Sequence, residues 1–447
     1  MEKSTSEHQE RLVYVSLTIA LGAVYLTVGL LPPLIMDTSA RRIQNLIFGL
    51  SQLRYLANHI TFILAALIFV GVIVYLYKYG LFTRLLQMHN NYLTITARIL
   101  LSVFAVGIFF LLRNNFLNPD GVDFAEKFAR DIPLYGAHVT PDEMWELYLH
   151  SRFWFYTNQY LGWSVQTSYQ VMSCLAGGVF IFLLLTYSPR LYPESPFIAF
   201  MMCISGGYMQ LFFGDVENYT LTTTLILAYF LFSALFIEKM ASILLPSITL
   251  AIAITFHLIS GFLAPSLLIL WWISWKRGEK KLLPYAGIGF IIPIGLTLFF
   301  FHFNGLPINS LWYKSVAYNN GLGIVSMLVK PSLKYYFAMA NLIFLLMPTW
   351  ICLVPLIIYK RIAFDQLNTH LLTAAGGMTI LLLGWNAGFG PYRDWNLYAT
   401  AALPISFLVW RNILQIKALQ TKFSPAYILG GISLFHSFVW IIHNHFL

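Results

Sequence analysis

Ten of the eighteen carboxylates in this sequence fall in three short stretches, and each stretch follows a long apolar run. Seven lie in 119–146, two in 214–219 and one in 391–395. Because carboxylates are costly to place near hydrocarbon, a set of them at the ends of apolar runs indicates a functional site. Their chemistry would be proton transfer, orientation of a hydroxyl group, or binding of a cation.

The first stretch contains the candidates for a general base, Asp120 and Asp123, with Glu126 close by in the sequence. Paired carboxylates at a low-dielectric boundary can share a proton, bind a divalent cation, or have one pKa raised into the range of a general base. A solvated loop, whose acids merely keep it outside a membrane, explains the same residues equally well.

The second stretch joins two apolar runs through the very short connection 214–218 and carries Asp215 and Glu217. A turn needs residues such as Gly and Asn, and it does not need two acids. Removing both acids from bulk water costs free energy unless partners compensate. We therefore favour a functional role over a simple turn, with Tyr219 as a candidate sugar contact.

The third stretch sets Arg393 and Asp394 between the aromatic residues Tyr392 and Trp395. A guanidinium group can bind a phosphate through two parallel hydrogen bonds, although Asp394 could instead neutralise Arg393 in an ion pair. The aromatic rings could stack on a sugar or anchor the chain at a membrane interface.

Two further cations are candidates for binding an anionic ligand. His257 stands at the end of an apolar run, where a histidine that merely packs between helices is the simpler alternative. Lys314 follows Trp312 and Tyr313 in the connection 304–336.

The elements that must position these residues are membrane helices. The chain is 58% hydrophobic and only 10% charged, with a mean hydropathy of +0.70. Soluble chains carry about 25% charged residues, so the composition predicts an all-α integral membrane protein with about 11–13 transmembrane helices. Nothing suggests a nucleic-acid partner. The first run is expected to be an uncleaved anchor. The predicted spans are 14–36, 60–79, 95–113, 167–187, 196–213, 219–237, 241–257, 259–274, 283–303, 337–359, 369–388, 396–411 and 425–443.

The basic residues predict the orientation of these spans. The densest basic run, 276–281, is assigned to the cytoplasm, which also places 190, 238–239, 360–361 and 411–422 inside. All three acidic stretches then fall on the outer side, in the connections 114–166, 214–218 and 389–395. In a bacterial inner membrane that side faces the periplasm or exterior. Because almost no turn separates 241–257 from 259–274, a broken or re-entrant arrangement is expected at His257.

The long outer loop is predicted to carry surface helices. Phe124, Phe128 and Ile132 recur at helical spacing. Thr140 and Pro141 are typical of a helix start, followed by an aromatic helix over 144–156 suited to the headgroup layer.

These motifs together resemble the GT-C superfamily of polytopic glycosyltransferases. The resemblance lies in an acidic motif (120–124) that opens a large outer loop, a second acidic motif (214–219) in a short outer turn, and Phe256-His257 before a span with Gly261 and Pro265. It covers 95–411 as the catalytic membrane core, flanked by 1–94 with two spans and by 412–447 with the last span. Many relatives begin directly with the span before the acidic loop.

The resemblance implies transfer of a sugar from a polyprenyl-phosphate donor, with inversion, to a glycan, lipid or protein acceptor. Asp120 or Asp123 would be the base, while Asp215 and Glu217 would orient the acceptor or hold a divalent cation such as Mg or Mn. The remaining roles it implies are donor phosphate binding by Arg393, His257 and Lys314, and sugar contact by Tyr219, Tyr392, Trp395 and Asp394.

Other function classes fit less well. A secondary transporter or flippase expects charges buried within spans and often two similar halves, and neither is visible in the sequence. A polysaccharide polymerase or ligase acting on lipid-linked oligosaccharides leans more on outer arginines than on acids. A membrane scaffold leaves Asp215, Glu217 and Arg393 unexplained.

Overall fold

The fold is seen in a computed structural model, which describes residues 2–30, 49, 94–115, 117, 121–122, 124, 142–194, 196–305, 326–329, 331–385, 390–391, 393–416 and 425–446. Within these ranges the chain forms helices joined by short connections and contains no strand. The predicted all-α fold is confirmed. The division into 1–94, 95–411 and 412–447 stays a prediction.

Fifteen α-helices are described. In chain order they are α1 (Glu2–Leu30), α2 (Ile95–Leu111), α3 (Met144–Leu161), α4 (Val165–Leu191), α5 (Pro196–Ile204), α6 (Thr220–Ile237), α7 (Leu244–Phe256), α8 (Ala264–Lys276), α9 (Leu283–Phe303), α10 (Ser326–Val329), α11 (Leu333–Leu346), α12 (Leu353–Ile358), α13 (Gln366–Gly384), α14 (Trp395–Gln415) and α15 (Pro425–Phe446). Short 3₁₀ helices lie at Gly207–Phe212, Leu258–Leu263, Lys280–Leu282 and Pro348–Cys352.

The apolar helices are those of a multi-pass membrane protein. Seven helices of the described chain are long and apolar enough to cross a membrane, and a pair bent by 105°, Leu333–Leu346 with Pro348–Ile358, can form an eighth. The helices Ile95–Leu111 and Leu244–Phe256 are apolar but shorter. The predicted span 60–79 lies outside the described residues.

One end of the helix bundle gathers basic residues, and we call it the basic end. Arg190 Nε lies 3.2 Å from Glu238 Oε2, and Arg411 lies 2.8 Å from Asp365 Oδ2. The Arg411 guanidinium also donates to the carbonyl of Arg190, while Arg277 donates to the last carbonyls of α6. The basic connections predicted to share one side of the membrane therefore lie together.

The opposite end, which we call the acidic end, gathers the connections predicted to lie outside. The Leu258 N–H donates to the Asp142 carbonyl at 2.9 Å, which ties the start of α3 to the chain after α7. The Asn114 N–H donates to the Phe213 carbonyl at 2.6 Å, which ties the end of α2 to the second acidic stretch. These connections therefore lie together at one end of the bundle.

The chain reverses at His257, where an extended residue (φ −150°) separates α7 from Leu258–Leu263. Arg277, at the end of α8, contacts the carbonyls of α6 that precede α7. Since α7 starts and α8 ends at the basic end, the two helices form a tight hairpin. The expected break at His257 is therefore a turn between the short apolar helix α7 and the candidate span that starts at Leu258.

Two other apolar segments also contain breaks, where distant side chains satisfy the freed backbone. Between α5 and Gly207–Phe212, the Ser205 carbonyl accepts hydrogen bonds from Ser433 Oγ (3.0 Å) and Ser437 Oγ (2.6 Å) of α15. Near the bend between α11 and α12, the Leu345 carbonyl accepts from His436 Nε2 at 3.1 Å. In a membrane such breaks are tolerated only when neighbouring groups re-satisfy the backbone.

The aromatic surface helix is present as α3, but it begins at Met144, later than the predicted start at Thr140 and Pro141. Glu143 occupies the N-cap position without a capping hydrogen bond from its side chain. Its carboxylate instead contacts His257 and Asn218. This acid therefore binds neighbouring segments and does not cap its own helix.

Candidate functional site at the acidic end

The second acidic stretch is buried. Asp215 is 2% exposed, Glu217 3% and Asn218 0%. Gly214 has φ +69°, and a Cβ added there would approach Arg113 Cβ to 2.9 Å, so only glycine fits this turn. A solvated turn would leave its acids in water. The acids of this turn are therefore withdrawn from bulk water, and their functional role stays a prediction.

Asp215 is the point where three segments meet. Asn114, from the segment after α2, and Asn396, which directly follows the third stretch, direct their side-chain amides at its carboxylate. Ser173 Oγ on α4 donates to the Asp215 carbonyl at 2.6 Å. Burial raises the pKa of Asp215 to about 7, because an apolar environment disfavours the charged form, and the two asparagines offset part of this effect.

The Asp215 carboxylate keeps unused hydrogen-bonding capacity. Within the described chain its Oδ2 atom accepts no aligned hydrogen bond, and the Asn396 Nδ2 atom donates none, although both atoms are buried. Buried polar atoms without partners are unfavourable, so this acceptor and donor are suited to bind an added hydroxyl group.

The third stretch lies at the same end as the second. The Arg393 and Asp394 N–H groups both donate to the Gly390 carbonyl at 3.1 Å, which closes a tight turn at a glycine with φ +85°. Trp395 and Asp394 are buried, and Trp395 packs edge-on against Trp440 with ring centroids 4.7 Å apart. Arg393 is exposed, so its guanidinium is accessible to a ligand.

His257 faces a carboxylate. Its Nδ1 atom accepts a hydrogen bond from the Ile259 N–H at 3.3 Å, so the neutral ring carries its proton on Nε2. That Nε2 atom lies 3.3 Å from Glu143 Oε1 without the alignment of a hydrogen bond, and the ring stacks on Tyr219 at 4.9 Å. Phosphate binding by His257 stays a prediction, and it would require the Glu143 side chain to turn away.

Glu143 also connects α3 to the second acidic stretch. Asn218 Nδ2 donates to Glu143 Oε2 at 3.0 Å, and the Tyr169 hydroxyl donates to Asn218 Oδ1 at 3.2 Å. Sequence reasoning missed Glu143, because an acid at a helix start is ordinary and its partners are remote in sequence.

Sequence reasoning also missed Glu146, which is fully buried and caps α6 from another helix. Its carboxylate accepts from the N–H groups of Leu221 and Thr222, both at 2.9 Å, and from Thr222 Oγ1 at 2.7 Å. An anion at a helix N-terminus is favourable because the first N–H groups have no partner within the helix. The only signal in the sequence is an acid four residues before His150 on one helix face.

Four predicted site residues lie outside the described residues: Asp120, Asp123, Lys314 and Tyr392. Their roles stay predictions. Of the acidic motif 120–124, Gly121, Val122 and Phe124 are described.

The described carboxylates do not form a cluster of metal ligands. In the ranges given above, no three His, Cys, Asp or Glu side chains come together as metal ligands. The carboxylates of Glu143 and Glu146 already accept hydrogen bonds from the protein. The predicted Mg or Mn ion would therefore depend on ligands such as Asp120 and Asp123, and it stays a prediction.

Comparison with known proteins identifies the fold. No protein-family profile matches the chain, and no curated protein does either. The chain is similar to the crystal structure of ArnT from Cupriavidus metallidurans bound to undecaprenyl phosphate, with a TM-score of 0.52 and 10% sequence identity, over 79% of this chain and 77% of that chain. A likeness at this identity concerns the fold alone. The all-α polytopic membrane fold expected from the sequence is confirmed, and it is similar to that of ArnT.

Proposed function

We propose that this chain is a membrane glycosyltransferase that uses a polyprenyl-phosphate sugar donor at its acidic end. The observation that carries the proposal is the meeting of Asn114, Asp215 and Asn396. Asn114 lies in the segment that leads to the first acidic stretch, Asp215 lies in the second stretch, and Asn396 directly follows the third. The ArnT fold, which was solved with undecaprenyl phosphate, supports a lipid-linked ligand.

The proposed reaction is a single displacement at the anomeric carbon. Asp120 or Asp123 takes the proton of the acceptor hydroxyl, and the resulting oxygen attacks the sugar from the face opposite the phosphate. The bond between the anomeric carbon and the phosphate oxygen breaks, and the polyprenyl phosphate leaves with the electron pair. The configuration at that carbon is inverted.

The acceptor and the donor phosphate would bind different stretches. Asp215 and Glu217 orient the acceptor, and the unpartnered Asp215 Oδ2 atom suits a hydroxyl donor. The leaving phosphate needs cationic groups, for which the exposed Arg393 is the best placed of the described candidates. Lys314 and His257 are the other proposed phosphate ligands, and Trp395 and Tyr219 are proposed sugar contacts.

An apolar groove at the acidic end suits a polyprenyl chain. It has a volume of about 470 Å³ and is lined by Trp145 of α3 and by residues of α9 that include Leu296, Phe300 and Phe303. Trp145 directly follows the start of α3, where Glu143 contacts His257. A lipid tail in this groove would enter from the membrane beside the polar residues.

The position of buried charges argues against a transporter. A transport pathway expects ionisable groups within spans. In the described residues, the buried carboxylates and the buried Arg411 lie at the two ends of the bundle. The histidines buried within candidate spans, His370 and His436, contact backbone carbonyls of neighbouring segments.

The decisive experiment is transfer by purified protein in proteoliposomes with undecaprenyl-phosphate-linked sugars and native membrane glycans and lipids. We expect Asp120→Asn or Asp123→Asn to abolish transfer, with a melting temperature like that of wild type. Glu194→Gln, an exposed acid near the basic end, is the matched control and should keep full activity.

Wild-type activity in both aspartate variants would overturn the assignment of the first stretch. A product that is a lengthened glycan still attached to its lipid would favour a polymerase or ligase. Absence of any transfer with all donors would contradict the proposed function.

A further inference from the structure

Three aromatic rings from separate segments form a stack beside the second acidic stretch. The ring of Tyr169, in the first turns of α4, lies parallel to the His150 ring of α3 (centroids 4.0 Å apart, 7° between planes). It is also parallel to the ring of Phe124 (5.8 Å, 5°). We call these three residues the aromatic stack. Phe124 belongs to the first acidic stretch and follows Asp123 directly in the chain.

The stack belongs to a small apolar cluster that is separate from the main core. Its buried members are Leu147, Trp154, Val165, Tyr169 and Val216, and Leu117 and Phe124 pack against it. The cluster therefore joins α3, the start of α4 and the second stretch, and it holds the described parts of the segment between α2 and α3. Nothing in the membrane core requires this second cluster.

Tyr169 contacts the polar site through its other end. Its hydroxyl donates to Asn218 Oδ1 at 3.2 Å, and the Asn218 amide donates to Glu143. The ring thus holds Phe124 while the hydroxyl orients Asn218. Tyr169 is fully buried, so both contacts are sheltered from water.

Packing alone does not explain the ring beneath Tyr169. His150 is 1% exposed, and within the described chain neither of its ring nitrogens has an aligned hydrogen bond, although Glu146 Oε1 lies 3.7 Å from Nε2. A phenylalanine would fill the same space without burying unsatisfied polar atoms. Because His150 and Phe124 both lie parallel to Tyr169, the stack links a polar ring of α3, through Tyr169, to the segment that carries the proposed base.

We propose that Tyr169 is a positioning residue, whose ring seats Phe124 and whose hydroxyl fixes Asn218, so that one side chain sets the first acidic stretch relative to the second. This inference rests on the proposed function for its catalytic meaning. The packing of Phe124 on the Tyr169 ring, which we call the seat, is a structural property that can be tested without any substrate.

Hydrogen–deuterium exchange of the full chain in lipid nanodiscs tests the seat. We expect Tyr169→Leu to speed exchange of the peptide that contains Gly121, Val122 and Phe124 by about tenfold or more, because the segment loses its packing. Tyr169→Phe keeps the ring and should leave this peptide unchanged. Tyr229 is an equally buried tyrosine whose hydroxyl bonds Ser266 within the bundle, so Tyr229→Leu and Tyr229→Phe are matched controls with no effect on the peptide. Unchanged exchange in Tyr169→Leu would overturn the seat.

Transfer kinetics test the positioning role. Phe124→Leu should lower kcat by about tenfold to a hundredfold, because small misplacements of a reacting group are costly, while the KM for the lipid donor changes less than about twofold. Phe124→Trp restores a stacking ring and should recover most of the rate. Equal losses in the Leu and Trp variants, or a change in KM alone, would overturn the positioning role. If the wild type transfers no sugar, the proposed function fails while the exchange result still decides whether Tyr169 seats this segment.

Discussion

The carboxylates at the two ends of the bundle have different kinds of partners. At the basic end, Glu10 pairs with Arg361 and Asp365 with Arg411. At the acidic end, the described partners of Glu146, Asp215 and Glu143 are backbone N–H groups, hydroxyls, amides and two imidazoles. Carboxylates that already face guanidinium groups hold helices together. The carboxylates of the acidic end instead hold their connections mainly through neutral donors.

The largest effect should follow from breaking a pair at the basic end. Glu10 is completely buried, and Arg361 donates to it from Nε at 2.9 and 2.8 Å as well as from Nη2. Arg361→Leu leaves a buried carboxylate without its cation, which costs about 3–5 kcal/mol. Chemical or thermal unfolding in detergent would show this as a large loss of stability.

The double variant Glu10→Gln with Arg361→Leu is the control for that prediction. Removing both charges should recover most of the stability, since a neutral pair is often tolerated in place of a buried ion pair. A double variant as unstable as Arg361→Leu would mean that the basic end is held by packing and not by charge pairing.

Removing the charge of Asp215 should stabilise the protein, because the fold raises the pKa of this residue from 3.8 to about 7. Below pH 4 the carboxyl is protonated in both states and costs nothing. Between pH 4 and 7 it ionises in the unfolded chain while it stays protonated in the folded chain, so stability falls as pH rises and is lowest above pH 7. Asp215→Asn should therefore stabilise the protein by up to roughly 4 kcal/mol at pH 8 and by little at pH 4.

The same substitution should remove activity if the ionised carboxylate orients the acceptor. In the wild type, transfer should then rise with pH through about 7, where Asp215 ionises. Melting temperatures of both proteins from pH 4 to 8, measured beside the rates, check both statements. A stability difference that stays constant across this range would show that Asp215 does not titrate as its burial indicates.

Glu146 at the acidic end should show a moderate effect. Glu146→Ala leaves the N–H groups of Leu221 and Thr222 without their acceptor in a buried place, at a cost of about 1–3 kcal/mol. Glu146→Gln keeps one carbonyl acceptor and should cost less. Thermal unfolding would rank wild type, Gln and Ala in that order. Equal stability of all three would mean that α6 needs no cap.

The sequence predicted which connections meet at each end, because charge sets orientation and orientation sorts loops into two groups. It could not predict Glu146 as a cap of α6, since the contact joins residues 75 or more positions apart. The same holds for the break at Ser205, which depends on hydroxyls of Ser433 and Ser437 more than 200 residues away. Local patterns determine where helices run, whereas long-range polar contacts determine where they break and which acids are buried.

The smallest effect on stability is expected for substitution of Arg393. The same substitution gives the clearest difference between the two ends in binding of the lipid phosphate. Arg393 is exposed, so Arg393→Ala should change unfolding by no more than about 0.5 kcal/mol. If it binds the donor phosphate, affinity for undecaprenyl phosphate should fall about tenfold or more, since a charge-assisted bond is lost. Arg393→Lys should recover only part of the affinity, because an ammonium group cannot make the paired bonds of a guanidinium.

Lys276 is an exposed cation at the basic end, and Lys276→Ala should bind like wild type. Equal weakening by both alanine variants would show that the lipid senses overall charge and not a site at the acidic end.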